Sequence, residues 1–554
     1  MTRWITKTAA SLLVSAGLVC FAQYVHFSQS AEAKSIHGIV QDSNGPVVGA
    51  IVRVQATENC TATDKQGRFT LNDITWSADQ VVVTAWSDGY YIGWAKASPF
   101  ARDVCIRLER YYTTDNYEYD WFSTKGSQGS KTCSHCMPTV YEEWRADAHS
   151  QSAINQRFLT MYNGTDIHGR QSPLTRYGFS RDYGRFPLRP DPNKPYYGPG
   201  YVLDFPDTAG NCAACHVPAA AAKPGRAYTV QVNNISGVAR EGVFCEFCHK
   251  IGEVKLDPVT NLPYPNMPGV LSMRVYRPQK DEELFFGPFD DATRRVSYQP
   301  LQKESAFCAP CHFGRFWGVQ VYNSYGEWLA SPYSDPQNGK TCQDCHMPTT
   351  KHTTFALPEK GGIRRLAGCI LSHRMPGAGD AELLENTAEL KIDAQRVGDR
   401  IKVRVQVTNS EAGHHIPTDH PARNILLVVS ATDVRGQELK YLGNQIVPDW
   451  GGRGSAADDY GGRPGKGYAK ILEELWTEKS PTAAYWRQIV LREDTRISAL
   501  TTDVTHYEFL ALKESEPVVV EAKLVFRRAF KELATQKKWN VKDILMEQQK
   551  IVIH

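Results

Sequence analysis

Three textures follow one another along the chain. Over residues 36–110, apolar and polar residues alternate with a period of two in short runs, IHGIVQDSNGPVVGAIVRVQ, TDKQGRFTL, VVVTAWSDGYY and VCIRL, separated by Gly, Pro, Asn and Asp. Alternation gives each strand one face for a core and one for water, so this segment is expected to be a small β-sandwich. Residues 111–380 hold few periodic runs and many Gly and Pro, as in RFPLRPDPNKPYYGPGY and PVTNLPYPNMPG. Such a segment cannot build an ordinary apolar core from its own side chains. One helix is predicted there over 138–161, PTVYEEWRADAHSQSAINQRFLTM, with Pro in its first turn and apolar positions at helical spacing. Over 381–554 the alternation returns in RIKVRVQVTN, NILLVVSATD and HYEFLAL, which predicts a second, larger β-rich, sandwich-like domain. Near its end, FRRAFKELATQKKW reads as a solvated amphipathic helix. The expected fold is therefore multidomain: an N-terminal β-sandwich, a central helical or irregular unit, and a C-terminal β-rich domain.

The first residues add an address. Arg3 and Lys7 precede an apolar run from about Ala9 to Ala22, and Ala31-Glu32-Ala33 fits a cleavage site, so residues 1–33 read as an export signal. An uncleaved anchor is the alternative, and no later segment approaches the 18 to 20 or so apolar residues of a membrane span. A periplasmic or cell-surface destination follows. Lys plus Arg number 63 against 60 Asp plus Glu, so no field of one sign points to nucleic acid as a partner.

The 14 cysteines change the picture most, because most of them fall in pairs in the middle texture. Cys-x-x-Cys-His occurs four times: Cys212, Cys215 and His216; Cys245, Cys248 and His249; Cys308, Cys311 and His312; Cys342, Cys345 and His346. Chance would supply roughly 0.01 copies in a chain of this composition, so four are a specific sign of c-type haem attachment. Two thiols three positions apart can each bond one vinyl group of a single porphyrin, and the next residue then presents an imidazole beneath the iron. Structural zinc would explain the pairs but not a histidine after each. Haem c, four copies or five, would supply the interior that the middle texture lacks, and the apoprotein is expected to be largely unfolded there.

Two family resemblances bear on the rest. The run G-x-V-x-D-x-x-G-x-x-V-x-G-A-x-V-x-V followed by T-D-x-x-G-x-F resembles the carboxypeptidase regulatory-like domain, which implies a prealbumin-like sandwich without catalytic residues. Its Cys60 and Cys105 lie on candidate strands and are expected to form a disulfide. The stretches CSHCMPTVYEEWRADAH, GVFCEFCHKIGEV, CQDCHMP, SHRMPGA and VTNSEAGHHIPTD resemble the cytochrome c554 family of multihaem electron carriers, over residues 130 to about 425. That resemblance implies distal iron ligands at His149, His373 and His414. The family usually has Gly where this chain has Asp419, and His415 and His420 leave the choice at that site open. His168 and His352 are weaker candidates. Lys250, Lys351, Arg364 and Arg365 read either as propionate partners or as surface charge.

A fifth copy of the motif departs from the pattern: Cys133 and Cys136 are followed by Met137. It allows a fifth haem with Met137 as ligand, a haem with one open position, or no attachment at all. Cys369 is left over as a small buried residue. The leading function is an electron carrier whose partners are other cytochromes or a membrane quinol-oxidising complex, with oligomeric assembly left open. The alternatives are an oxidoreductase acting on a small nitrogen or sulfur oxyanion at an open iron, and a haem-bearing surface adhesin or filament subunit; whether the chain is an enzyme stays undecided at this stage.

Overall fold

Ile36 and Val40 are fully buried while His37 between them faces out, which is what alternation in IHGIV demands of a half-buried strand. The computed structural model describes residues 34–554 apart from 77–79, 124–125, 281, 512–515 and 541, so the segment read as an export signal lies outside the described residues. Strand Lys34–Asp42 pairs with Arg68–Ile74 and Gly45–Pro46 antiparallel and with Asp103–Arg107 parallel. A second sheet runs Cys60–Ala62, Ile51–Val54, Val81–Trp86, Gly93–Ala97. The two share a core of Ile36, Val52, Leu71, Val83 and Ile106. Cys60 and Cys105 are exposed free thiols on strands of different sheets. Both take outward positions in their strands' alternation, so the expected disulfide does not form.

The C-terminal region is built from a four-stranded and a five-stranded sheet. The first runs Ala388–Val397, Arg400–Asn409, Thr502–Leu510, Lys440–Tyr441; the second runs Ile489–Asp494, Gly465–Glu474, Asn424–Thr432, Val518–Arg527, Ile544–Ile553. Val403, Val405, Leu427, Val520 and Leu524 are among the residues that close the space between them. The segment read as a solvated helix is not solvated. Helix Lys531–Lys537 buries Leu533 and Ala534 in a cluster with Met161, Ala469 and Phe530. Lys537 is fully buried, and its ammonium donates to the carbonyls of Thr160, Thr165 and Pro199 at 2.9, 3.2 and 2.6 Å. Burial pushes its pKa down to about 7.

Between the β units, residues 111–380 form short helices, two-stranded hairpins and loops around a cluster that includes Trp144, Tyr162, Phe244 and Phe247. The helix expected over 138–161 is two: Pro138–Ala146 and Gln156–Asn163. Asp147 ends the first by turning its carboxylate to the His149 amide, and Asn155 caps the second by accepting from the Arg157 amide. Such local side-chain bonds compete with helix continuation. The break leaves His149 on a loop rather than a helix face.

Both β units are pinned to this middle. Arg53 pairs with Asp290 at 2.9 Å, and the buried Asp291 accepts from the Ala56 amide and from Arg365. On the other side Arg487 reaches Asp204 and Arg496 reaches Glu327, at 2.8 and 2.6 Å. No helix among the described residues is long and apolar enough to cross a membrane.

Candidate functional site

The four Cys-x-x-Cys-His segments take one local form because each closes a helical turn from its first cysteine. The amides of His216, His249 and His312 donate to the carbonyls of Cys212, Cys245 and Cys308 at 3.0, 3.0 and 3.1 Å. The fourth lies in helix Cys342–His346, whose start is locked by a capping box between Thr341 and Asp344. One turn places both thiols on one side with the imidazole beside them. Gly269 shows how tightly the first turn is packed. It sits at φ +57°, and a Cβ there would meet Ala214 O at 2.1 Å and the Cys215 sulfur at 2.9 Å.

The motif histidines are then oriented by what their Nδ1 faces. His216, His249 and His346 set Nδ1 against the carbonyl oxygens of Ser152, Phe286 and Pro376, at 3.0, 2.6 and 2.7 Å. An Nδ1–H donated to a carbonyl leaves the lone pair on Nε2, the nitrogen that would bind a metal. Burial lowers the pKa of His216 and His249. It lowers that of His346 to about 4, helped by His414. All three are therefore neutral, the form that ligates. His312 behaves otherwise. Burial works against its charge, but the Asp419 carboxylate outweighs burial and pushes its pKa up to about 9, so to ligate this imidazole would have to give up its Nε2 proton and keep the one on Nδ1.

Each motif histidine is matched by a second imidazole. His312 faces His149 with ring centroids 6.2 Å apart, and His346 faces His414 at 6.3 Å. Two metal–nitrogen bonds of about 2 Å, plus about 1.2 Å from each nitrogen to its ring centre, require about 6.4 Å. The rings thus stand where one iron would fit between them. His149 and His312 also keep 36 % and 40 % of their side-chain surface accessible. His249 lies within electrostatic reach of His373, which burial and His249 together bring down to about 4. His216 is likewise within reach of His420, whose pKa burial first and Arg423 next lower to about 4. Tyr485 ties this last pair to its motif: its ring is 6.1 Å from that of His420, and it lies within electrostatic range of Cys212 and Cys215.

His149, His373 and His414 therefore each meet one motif histidine. The imidazole not selected from the sequence is His420. In HHIPTDH the resemblance selected His414 and left His415 and His420 as alternatives, and folding separates the three: His415 turns Nε2 to the Ser498 hydroxyl at 3.0 Å, while His420 enters a pocket of Tyr322 and Tyr485. His168 and His352 are exposed. Lys250 is fully buried against Glu246 at 3.2 Å and the Leu284 carbonyl at 2.8 Å, and Arg365 is bound to Asp291, so neither is surface charge or a free cation for a propionate. Cys369 is half-buried rather than buried.

Neighbouring motifs lie close enough to influence one another's thiols. Cys215 and Cys311, Cys308 and Cys342, Cys248 and Cys311, and Cys133 and Cys245 are within electrostatic reach of each other. The Cys308–Cys311 segment is thus next to three others.

The odd copy is one residue short. The Met137 amide closes onto the Cys133 carbonyl at 2.9 Å, as the motif histidines close onto their first cysteines. Yet its dihedrals, φ −128° and ψ 61°, are those of Met347, φ −128° and ψ 62°, and both methionines precede proline. Met137 fills both roles, so no position is left for an imidazole. Of its two neighbours in sequence, His149 stands against His312, and His135 bonds Lys360 at 2.9 Å. The donor set, two thiols and two facing imidazoles, fits haem at Cys308–His312 and Cys342–His346; at Cys245–His249 and Cys212–His216 a second imidazole lies within electrostatic reach. The fifth copy lacks the histidine of the motif.

No protein-family model matches the chain, and no curated protein matches it. Among solved structures it is similar to a penta-heme cytochrome c552 from Thermochromatium tepidum, at 18 % identity with a TM-score of 0.51, over 77 % of this chain and 98 % of that one. At this identity the likeness is one of fold. Over about three quarters of its length the chain has the fold of a multihaem cytochrome.

Proposed function

We propose that the chain is an exported electron-transfer protein carrying four c-type haems, each attached through one Cys-x-x-Cys pair and ligated by two histidines. The pairs are His216 with His420, His249 with His373, His312 with His149, and His346 with His414. The observation that carries this reading is the spacing of 6.2 and 6.3 Å between facing imidazoles. Bound there, haem would supply one-electron redox chemistry. The chain's own residues hold the Nδ1 protons of His216, His249, His346 and His414 against backbone carbonyls and bring neighbouring motifs within electrostatic range of one another, which favours transfer from site to site over substrate binding. Redox partner proteins at either end follow from the same reading, in the periplasm or at the cell surface.

The oxidoreductase alternative rests on Cys133–Met137, where the histidine of the motif is absent from the sequence. Intact mass of the exported protein decides the count: four attached haems are expected, and five would restore that site. Carbon monoxide added to the reduced protein is expected to leave the spectrum unchanged, and one responsive haem would favour the enzyme.

The ring angles give a separate expectation. The His346 and His414 rings are 11° from parallel, whereas those of His149 and His312 are 69° apart. Parallel ligand planes split the iron dπ orbitals and crossed planes leave them nearly degenerate. The ferric protein should therefore show a rhombic low-spin EPR signal together with a strongly anisotropic one with a single large g value. Rhombic signals alone would count against the crossed pair.

A further inference from the structure

The eight paired imidazoles differ in what faces Nδ1. For His216, His249, His346 and His414 it is a backbone carbonyl, at 3.0, 2.6, 2.7 and 3.0 Å. For His420 it is the Ala422 amide at 3.2 Å, and the Nδ1 of His373 has no hydrogen-bond partner among the described residues. His149 and His312 face carboxylates instead: Asp147 Oδ1 lies 2.6 Å from His149 Nδ1, and Asp419 Oδ2 lies 3.4 Å from His312 Nδ1. These two histidines face each other, so one site has both its imidazoles backed by negative charge.

Asp419 is held there at a cost. It sits in the left-handed region at φ +68°, where glycine is the unstrained choice. Its side chain is 18 % exposed, and its Oδ1 is buried with no hydrogen-bond partner among the described residues. Apart from His312, the nearest cation among the described residues is Arg423, 3.9 Å away. Neither the backbone nor a saturated hydrogen-bond network accounts for a carboxylate at this position; its direction toward His312 does. A carboxylate draws the Nδ1 proton more strongly than a carbonyl, which makes the imidazole a stronger donor through Nε2 and favours the ferric over the ferrous state.

We propose that Asp419 and Asp147 are positioning residues that make the Cys308–Cys311 haem the lowest-potential station of the protein. The proposal rests on the bis-histidine reading above. Because this segment adjoins the other three motifs, electrons crossing the molecule meet their most reducing station in the middle.

The test is a spectroelectrochemical titration of the full-length holoprotein and of Asp419→Asn, Asp419→Gly, Asp419→Glu and Asp147→Asn. The Asn and Gly variants at 419, and Asn at 147, should raise the lowest midpoint so that, at fixed applied potential, the oxidised-to-reduced ratio of that haem falls about tenfold, a shift of about 59 mV for one electron. The other couples should stay in place, and Asp419→Glu should recover most of the shift. An unmoved lowest couple in fully loaded variants, or a shift confined to another couple, overturns the proposal while leaving the ligand reading intact. Intact mass separates the two: a wild-type protein lacking haem at Cys308 and Cys311 would defeat the ligand reading itself. Should the substitutions at 419 fail to load haem, Asp147→Asn carries the test alone.

Discussion

His420→Ala in the holoprotein is expected to turn one haem of the proposed four from six-coordinate low-spin to open. The ferrous protein should then bind carbon monoxide with a difference spectrum of one haem equivalent. His420 is half-buried beside Tyr322 and Tyr485, within electrostatic reach of His216, and the other paired histidines are engaged elsewhere. His415→Ala should open nothing, because that ring is turned to Ser498 and lies 3.9 Å from the Glu327 carboxylate. If His415→Ala gives the carbon monoxide signal and His420→Ala does not, the pairing at Cys212–Cys215 is wrong.

The second large effect concerns stability. Arg487 forks onto Asp204 at 2.8 and 2.9 Å and reaches Glu474 at 2.8 Å, with all three side chains at most 7 % exposed. The two carboxylates come from different parts of the molecule, Asp204 from the motif-bearing middle and Glu474 from strand Gly465–Glu474. Arg487→Met would leave both buried without a counter-charge, at a cost of about 3–5 kcal/mol. Denaturant unfolding should show it as an earlier loss of the C-terminal sheets from the haem-bearing unit. The triple change to Arg487→Met, Asp204→Leu and Glu474→Leu should regain most of the loss, since an apolar trio of similar volume needs no pairing. A single-variant cost below about 1 kcal/mol would mean that the bridge does not hold the two parts together.

The strand segments were the most legible feature. RIKVRVQVTN alternates with a period of two, and strand Arg400–Asn409 buries Ile401, Val403, Val405 and Val407. A strand's two faces are written directly into alternate residues, so no partner need be known. The helix over 138–161 was legible only in part. Its apolar spacing is real, but Asp147 and Asn155 spend their side chains on neighbouring amides and break it around His149. Helix Lys531–Lys537 misleads for a different reason: charge in FRRAFKELATQKKW suggests water, and only the three carbonyls converging on Lys537 show that an ammonium can be buried there. The disulfide expected between Cys60 and Cys105 failed because strand register does not reveal which sheet a strand joins.

By itself, the sequence marked the candidate attachment motifs: two thiols and an imidazole within five residues are a local device, complete within one helical turn. It also marked the place where that device is incomplete, at Met137. Which second imidazole meets each motif, which motifs adjoin, and why Asp419 stands at a glycine-like position were decided by tertiary structure alone. His149 and His312 are distant in sequence, as are His216 and His420, and nothing in a sequence records a contact whose two halves are brought together only when the whole chain has folded.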